Sequence, residues 1–256
     1  MSEIIDGMRW YQGKRFVASV RGSDYAHAGE EEAIHLCFEK FSKDPHRLIL
    51  DAGCGQGGTA HFIQTQGWGK VSGFDIEEKS ILYAQNKYPD VKFYTADAHN
   101  LAAADEALHT PQFDLICLFN AFYAFSDQKK SLQNLRACAK TGADLMIFDY
   151  TDLAEEGKNP FVIQGETTKI FLPIRSKKML QMIAEIGWTC VEIKDLSQEY
   201  KHWYKNLVDK ILENKQQLIS DFNEHNYFKA IEKYTNLYNA FKNKLLGGCI
   251  FYAQAV

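Results

Sequence analysis

The stretch Leu48–Thr59, LILDAGCGQGGT, decides the fold. An apolar strand ends on an acid, Asp51, and runs straight into a loop with glycines at 53, 55, 57 and 58. Glycine reaches positive φ and lets backbone approach a ligand closely, while an acid at the carboxyl end of a strand can hold a hydroxyl or ammonium group. This is the build of a nucleotide-type site.

Outward from this loop, short apolar runs alternate with amphipathic stretches up to Asp149, the pattern of strand-helix-strand units around a parallel sheet. Strands are expected at Leu48–Asp51, Lys70–Asp75, Val91–Thr95, Phe113–Phe119 and Ala143–Asp149, with helices at Thr59–Gln66, Glu77–Lys87 and Asp127–Ala139. Polar residues follow four of the strands: Asp51, Asp75, Asp97 and Asn120. In an open parallel sheet ligands lie beyond the carboxyl ends of the strands, so these four should converge on one crevice.

The segment Phe161–Pro173 carries no clear pattern. A helix follows at Ser176–Ile186, closed by Gly187, and Trp188–Lys194 reads as a strand. From Leu196 to about Phe241 the spacing of Leu207, Ile211, Leu218 and Phe222 is helical, and Gly247-Gly248 leads into a last apolar strand, CIFYAQAV. The expected architecture is α/β: a Rossmann-like, seven-stranded, mostly parallel sheet with helices on both faces and a helical lid (about 196–243) inserted before the last strand. The expected division is an N-terminal helical cap over 1–46, a ligand-binding core over 47–150, and the remainder over 151–256.

A 256-residue chain that is 46% hydrophobic and 24% charged can bury a substantial core. Its net charge of -4, with no long run of one sign, argues against a nucleic-acid partner. No apolar run approaches the roughly 18 residues that span a bilayer, and the N-terminus lacks a leader pattern, so no membrane partner and a cytoplasmic location are expected. The six cysteines never form Cys-x-x-Cys, which argues against a zinc cluster and against disulfides, and Cys54 has no neighbouring His or Lys to make it a thiolate. No metal site is expected, and oligomeric state is left open.

The loop reads G-x-G-x-G-G rather than the G-x-G-x-x-G of dinucleotide folds, and no G-x-x-x-x-G-K-[ST] string supports ATP-type phosphate binding. Asp75 can grip vicinal ribose hydroxyls. Asp97 with Ala98 can face an adenine edge, which suits a single adenosine. On these residues the sequence resembles the class I S-adenosylmethionine-dependent methyltransferases: LDAGCGQGG is similar to their first motif, GFDIEE to their ribose-binding acid, TADAHNL to their adenine-contacting segment and FDLICLFNAFYAF to their fourth motif. The resemblance implies S-adenosyl-L-methionine as cofactor, with Gly53 and Gly55 under its methionine part, Asp75 on the ribose, Asp97 and Ala98 facing the adenine and Asn120 near the methionine end; Asp51, Gly57 and Ile76, and Tyr25 and His27 just before a helix that can cover the cofactor, complete the expected binding set.

The layout further resembles phosphoethanolamine methyltransferases and related small-amine N-methyltransferases, in DYAHAGEEE before the first strand, FDY at the fifth, and KDLS, KHWYKNL and a long helical insertion before the last. In those enzymes a Tyr and a His form a catalytic pair; Ala124 stands here in the matching place after the fourth motif. The expected activity is methylation of a small molecule, with an amine nitrogen preferred. The alternatives are O- or C-methylation of an aromatic or quinone-like acceptor, a non-catalytic cofactor-binding protein and, more distantly, a nicotinamide oxidoreductase. Catalytic candidates are Tyr11, Tyr123 and Tyr150; an aromatic wall of these with Trp203 and Tyr204 would attract a methylated cation. His99 and His202 are candidate proton acceptors.

Overall fold

A computed structural model describes residues 11–108, 110, 112–162 and 171–256. The pattern-free segment thus lies largely outside the described residues, as do the first ten residues. Two helices come first, α1 (Tyr11–Arg21) and α2 (Glu30–Phe38). The alternating core follows as β1 (Leu48–Ala52), α3 (Gly58–Thr65), β2 (Lys70–Asp75), α4 (Glu78–Lys87), β3 (Lys92–Thr95), β4 (Phe113–Phe119), α5 (Gln128–Cys138) and β5 (Ala139–Asp152). Then come α6 (Ser176–Ala184), β6 (Trp188–Asp195), α7 (Ser197–Glu213), α8 (Lys215–Phe222), α9 (Glu224–Lys242) and β7 (Leu246–Ala255).

The seven strands form one sheet in the order β3-β2-β1-β4-β5-β7-β6. β1 pairs in parallel with both β2 and β4, and β7 runs antiparallel between β5 and β6. The central strands are buried on both faces, so they read as nearly continuous apolar runs. Successive side chains feed two cores: Leu115, Cys117 and Phe119 join Met146 and Phe148 on one face, and Ile116 and Leu118 join Leu145 and Ile147 on the other. Because β2 and β3 lie to one side of β1 while β4 and β5 lie to the other, the chain switches direction beside β1. The carboxyl ends of β1 and β4 open there into a crevice.

One expectation needs correction. The fifth strand begins at Ala139, directly after α5, because Ala139 pairs with Phe113 and a register shift before Leu115↔Asp144 absorbs the intervening residues. The stretch of helical spacing over 196–241 resolves into three helices, α7, α8 and α9. Asn214 separates α7 from α8, and Asn223, at φ 69°, ends α8 while its side chain accepts the backbone N–H of Asn226 to cap α9. Its side-chain carbonyl satisfies an amide that the new helix leaves open. These helices pack on α1 and β7, and α7 buries Tyr200, Trp203 and Tyr204. Among the described residues no helix is long and apolar enough to cross a membrane.

Gly248 is required where α7 meets β7: a Cβ there would lie 2.0 Å from the Tyr200 ring. Gly248→Ala is expected to destabilise the fold by about 1–3 kcal/mol, the usual cost of overpacking, read from the urea midpoint; an unchanged midpoint would show that this contact relaxes freely.

Candidate active site

The crevice is built upward from the β1 loop. The N–H groups of Gly53 and Cys54 both donate to the Phe74 carbonyl at 2.8 and 2.9 Å, locking the loop onto β2. Gly53, at φ 83°, approaches the β4 loop so closely that a Cβ would meet the Ala121 methyl at 2.5 Å. Gly57, also at φ 83°, starts α3 against the Phe93 ring, at 2.6 Å from where its Cβ would be.

The crevice is lined by His27, Asp51, Gly53, Gly55, Asp75, Ile76, Asp97, Ala98, Asn120, Tyr123 and Tyr150. The residues read from the four strand ends therefore do meet. Gly57 and Tyr25 lie outside the lining: Gly57 packs α3, and Tyr25 donates its hydroxyl to Glu31 at 3.1 Å. Tyr11 is also elsewhere, its ring 6.2 Å from that of Tyr83. Of the expected aromatic wall, Tyr123 and Tyr150 face the crevice with ring centroids 5.0 Å apart; Tyr204 stands behind, its hydroxyl bonded to that of Tyr150. Trp203 packs over Gly29 and donates to Glu32 at 2.9 Å instead.

Three carboxylates in or beside the crevice are treated very differently. Asp75 is a hub: its Oδ2 accepts from Gly55 N–H and Lys14 Nζ, both at 2.9 Å, and its Oδ1 accepts from Glu77 N–H at 3.0 Å. Asp149, fully buried at the end of β5, accepts from Tyr150 N–H at 2.7 Å and Tyr123 N–H at 3.1 Å, which pins the turn carrying Tyr123. Burial pushes its pKa up to about 7 despite those donors. Asp51 is only 1% exposed, and among the described residues neither of its oxygens has a hydrogen-bond partner. Burial first, and the charge of Asp75 second, push it up to about 7.

The imidazoles are already committed. His27 donates from Nδ1 to the Ala28 carbonyl at 2.9 Å, so its Nε2 accepts from the Thr59 hydroxyl at 3.0 Å. Burial holds it neutral, with a pKa near 3. His99 accepts the Asp127 N–H on Nε2 at 2.8 Å and therefore carries its proton on Nδ1, which donates to Asp97 at 3.0 Å. It straps two loops together rather than standing ready as a base. His202 is outside the crevice, 3.0 Å from Asn206 on an exposed helix face. Asn120, at φ 47°, is a latch: its Oδ1 accepts from Ala28 N–H at 3.1 Å and its Nδ2 donates to the Tyr200 hydroxyl at 3.0 Å. Both amide ends are thus spent on protein.

Sequence reading missed Lys14, Thr59 and Asp149. Thr59 and Asp149 act on neighbours brought close only by folding, and Lys14 stands in an amphipathic helix whose pattern assigns it no partner. Asp24 was missed for the same reason. Burial would raise its pKa, but Lys87 and the hydroxyls of Tyr88 and Tyr83 outweigh that and hold it below the ordinary value, tying the α1–α2 loop to α4.

The sheet order and the crevice define the class I methyltransferase architecture. A family model described as a methyltransferase domain matches residues 43–216, and the chain belongs to this family. Phosphoethanolamine N-methyltransferase 1 of Zea mays is 23% identical over 228 residues, 88% of this chain and 43% of that protein. The chain spans less than half the length of the curated phosphoethanolamine N-methyltransferases it matches. Among solved structures, phosphoethanolamine N-methyltransferase 2 of Haemonchus contortus, in complex with phosphomonomethylethanolamine and S-adenosylhomocysteine, has a TM-score of 0.80 at 15% identity, covering 96% of this chain and 57% of that one. The cyclopropane synthase MmaA2 of Mycobacterium tuberculosis also has a TM-score of 0.80, at 17% identity and 97% coverage of both chains. At these identities the structural likeness concerns the fold.

A carboxyl group whose pKa is raised by folding binds its proton more tightly in the native state. Its contribution is therefore fully favourable below the unfolded value of 3.8 and is lost as pH rises toward about 7. Ligand-free protein should lose stability between about pH 4 and 7, and Asp51→Asn should shrink that loss by about 1–3 kcal/mol in urea titrations. Parallel pH profiles for both proteins would remove Asp51 as the source.

Proposed function

We propose that this protein transfers a methyl group from S-adenosylmethionine to a small-molecule acceptor, and that the acceptor atom is an amine nitrogen. The observation that carries the reading is Asp51: a buried carboxylate with no partner among the described residues, opening onto the crevice beside a glycine loop, calls for a cationic ligand group. The methionine ammonium of the cofactor answers that demand. Asp75 would hold the ribose diol, Asp97 with Ala98 would face the adenine edge, and Ile76 would border the nucleoside. When bound, the cofactor supplies a sulfonium methyl already activated for transfer.

The chain's own task is mainly to hold the acceptor in line and keep water away. Tyr123 and Tyr150 form the wall of the acceptor end, with Ala124 and Phe125 beside them. Their faces favour a cationic product by about 0.5–2 kcal/mol per ring. Burial keeps the Tyr150 hydroxyl well above its ordinary pKa, so it serves as a neutral hydrogen-bonding group rather than as a base. With His27 and His99 both engaged, the amine is expected to arrive neutral or to give its proton to water. The largely apolar acceptor end also favours a second reading, O- or C-methylation of an aromatic acceptor.

Cofactor binding draws Asp51 into its ionised form and expels a proton below about pH 7. S-adenosylhomocysteine should therefore bind more tightly as pH rises from 5.5 to 7 and level off above that, and calorimetry in buffers of different ionisation enthalpy should show proton release. Asp51→Asn should bind more weakly with a flat profile. Preferential binding of NAD would refute the cofactor assignment, and release of S-adenosylhomocysteine with phenols but not with amines would shift the acceptor to the second reading.

A further inference from the structure

Lys14 projects from α1 into the crevice, although nothing in the activity described above uses it. It is 4% exposed, its Nζ lies 2.9 Å from Asp75 Oδ2 and 3.3 Å from the Ser80 hydroxyl, and the end of its stem lies over Gly55, about 3.6–4.0 Å from where a Cβ would be. Each carboxylate oxygen offers two good in-plane acceptor positions. On Asp75, Oδ2 has both filled by Lys14 and the Gly55 amide, and Oδ1 has one filled by the Glu77 amide. A vicinal diol needs one position on each oxygen. The ion pair and the diol therefore exclude each other, and the lysine stem covers the loop over which the ligand must pass.

We propose that Lys14 is a built-in competitor for the ribose site: its ammonium closes the ligand-free crevice by pairing with Asp75, and cofactor binding expels it to solvent. The inference rests on the assignment of Asp75 to the ribose. Without a ligand, the pair spares Asp75 an uncompensated buried charge. With one, the two hydroxyls replace the ammonium on the carboxylate, and Lys14 regains full hydration. Part of the ligand's binding energy is thus spent opening the site, so apparent affinity is reduced by the fraction of molecules already open.

Two measurements with S-adenosylhomocysteine as the probe test this. By calorimetry Lys14→Ala should bind about tenfold tighter than the unaltered protein, the gain expected when a closed population is removed. Independently, in the unaltered protein, acetylation of Lys14 by an amine-reactive reagent, followed by peptide mass spectrometry, should be slow without ligand and about tenfold faster at saturation, following the open fraction. Equal or weaker binding by Lys14→Ala, or a Lys14 that stays protected in the complex, would overturn the competitor role while leaving the cofactor assignment intact. If neither protein binds the probe, the cofactor assignment itself fails, and this inference with it.

Discussion

A parallel strand cannot turn back on itself; it must cross over and re-enter the sheet from the same end. That constraint governs this protein. Each crossover delivers the next strand's carboxyl end to the same edge, so Asp51, Asp75, Asp97 and Asn120, separated by up to about seventy residues of chain, border one crevice. The antiparallel β7 joins the sheet on the far side of β5, away from β1, and leaves this arrangement undisturbed.

The polar groups brought to that edge divide by what surrounds them. Asp149 and Asn120 are saturated by protein donors and acceptors and hold the β4 and β5 turns in place. Among the described residues Asp51 has no hydrogen-bond partner, and burial makes that costly. A site that hydrogen-bonds its scaffolding fully but leaves one buried carboxylate unsatisfied directs its unmet electrostatic demand toward a ligand. Asp75 is the intermediate case, because its third donor is a flexible lysine rather than fixed backbone.

The elements around the crevice are tied to it at a few polar points. Asp24 anchors the α1–α2 loop to α4 through Tyr83, Tyr88 and Lys87; Asn120 joins that loop to Tyr200 of α7; and the Tyr204 hydroxyl meets Tyr150. Residues distant in the chain thereby share one network, and the inserted helices contribute through tyrosine hydroxyls set behind the crevice wall. Gly29 and Gly248 let Trp203 and Tyr200 seat closely enough for this.

What the amino-acid sequence determined alone is what local spacing can encode: short apolar runs and helical apolar patterns located the strands and most helices, and a glycine loop between strand and helix, with acids at successive strand ends, located the crevice. It did not reveal the break at Asn223, since a capping carbonyl and a tolerated positive φ leave the helical spacing on either side intact. Nor did it separate Tyr123 and Tyr150, which face the crevice, from Tyr11 and Trp203, which do not, because an aromatic residue's neighbours along the chain do not say what lies across from it. The commitments of His27, His99 and Asn120, and the pairing of Lys14 with Asp75 across sixty-one residues, were decided only by tertiary structure. A hydrogen bond depends on distance in space, and folding alone sets that distance.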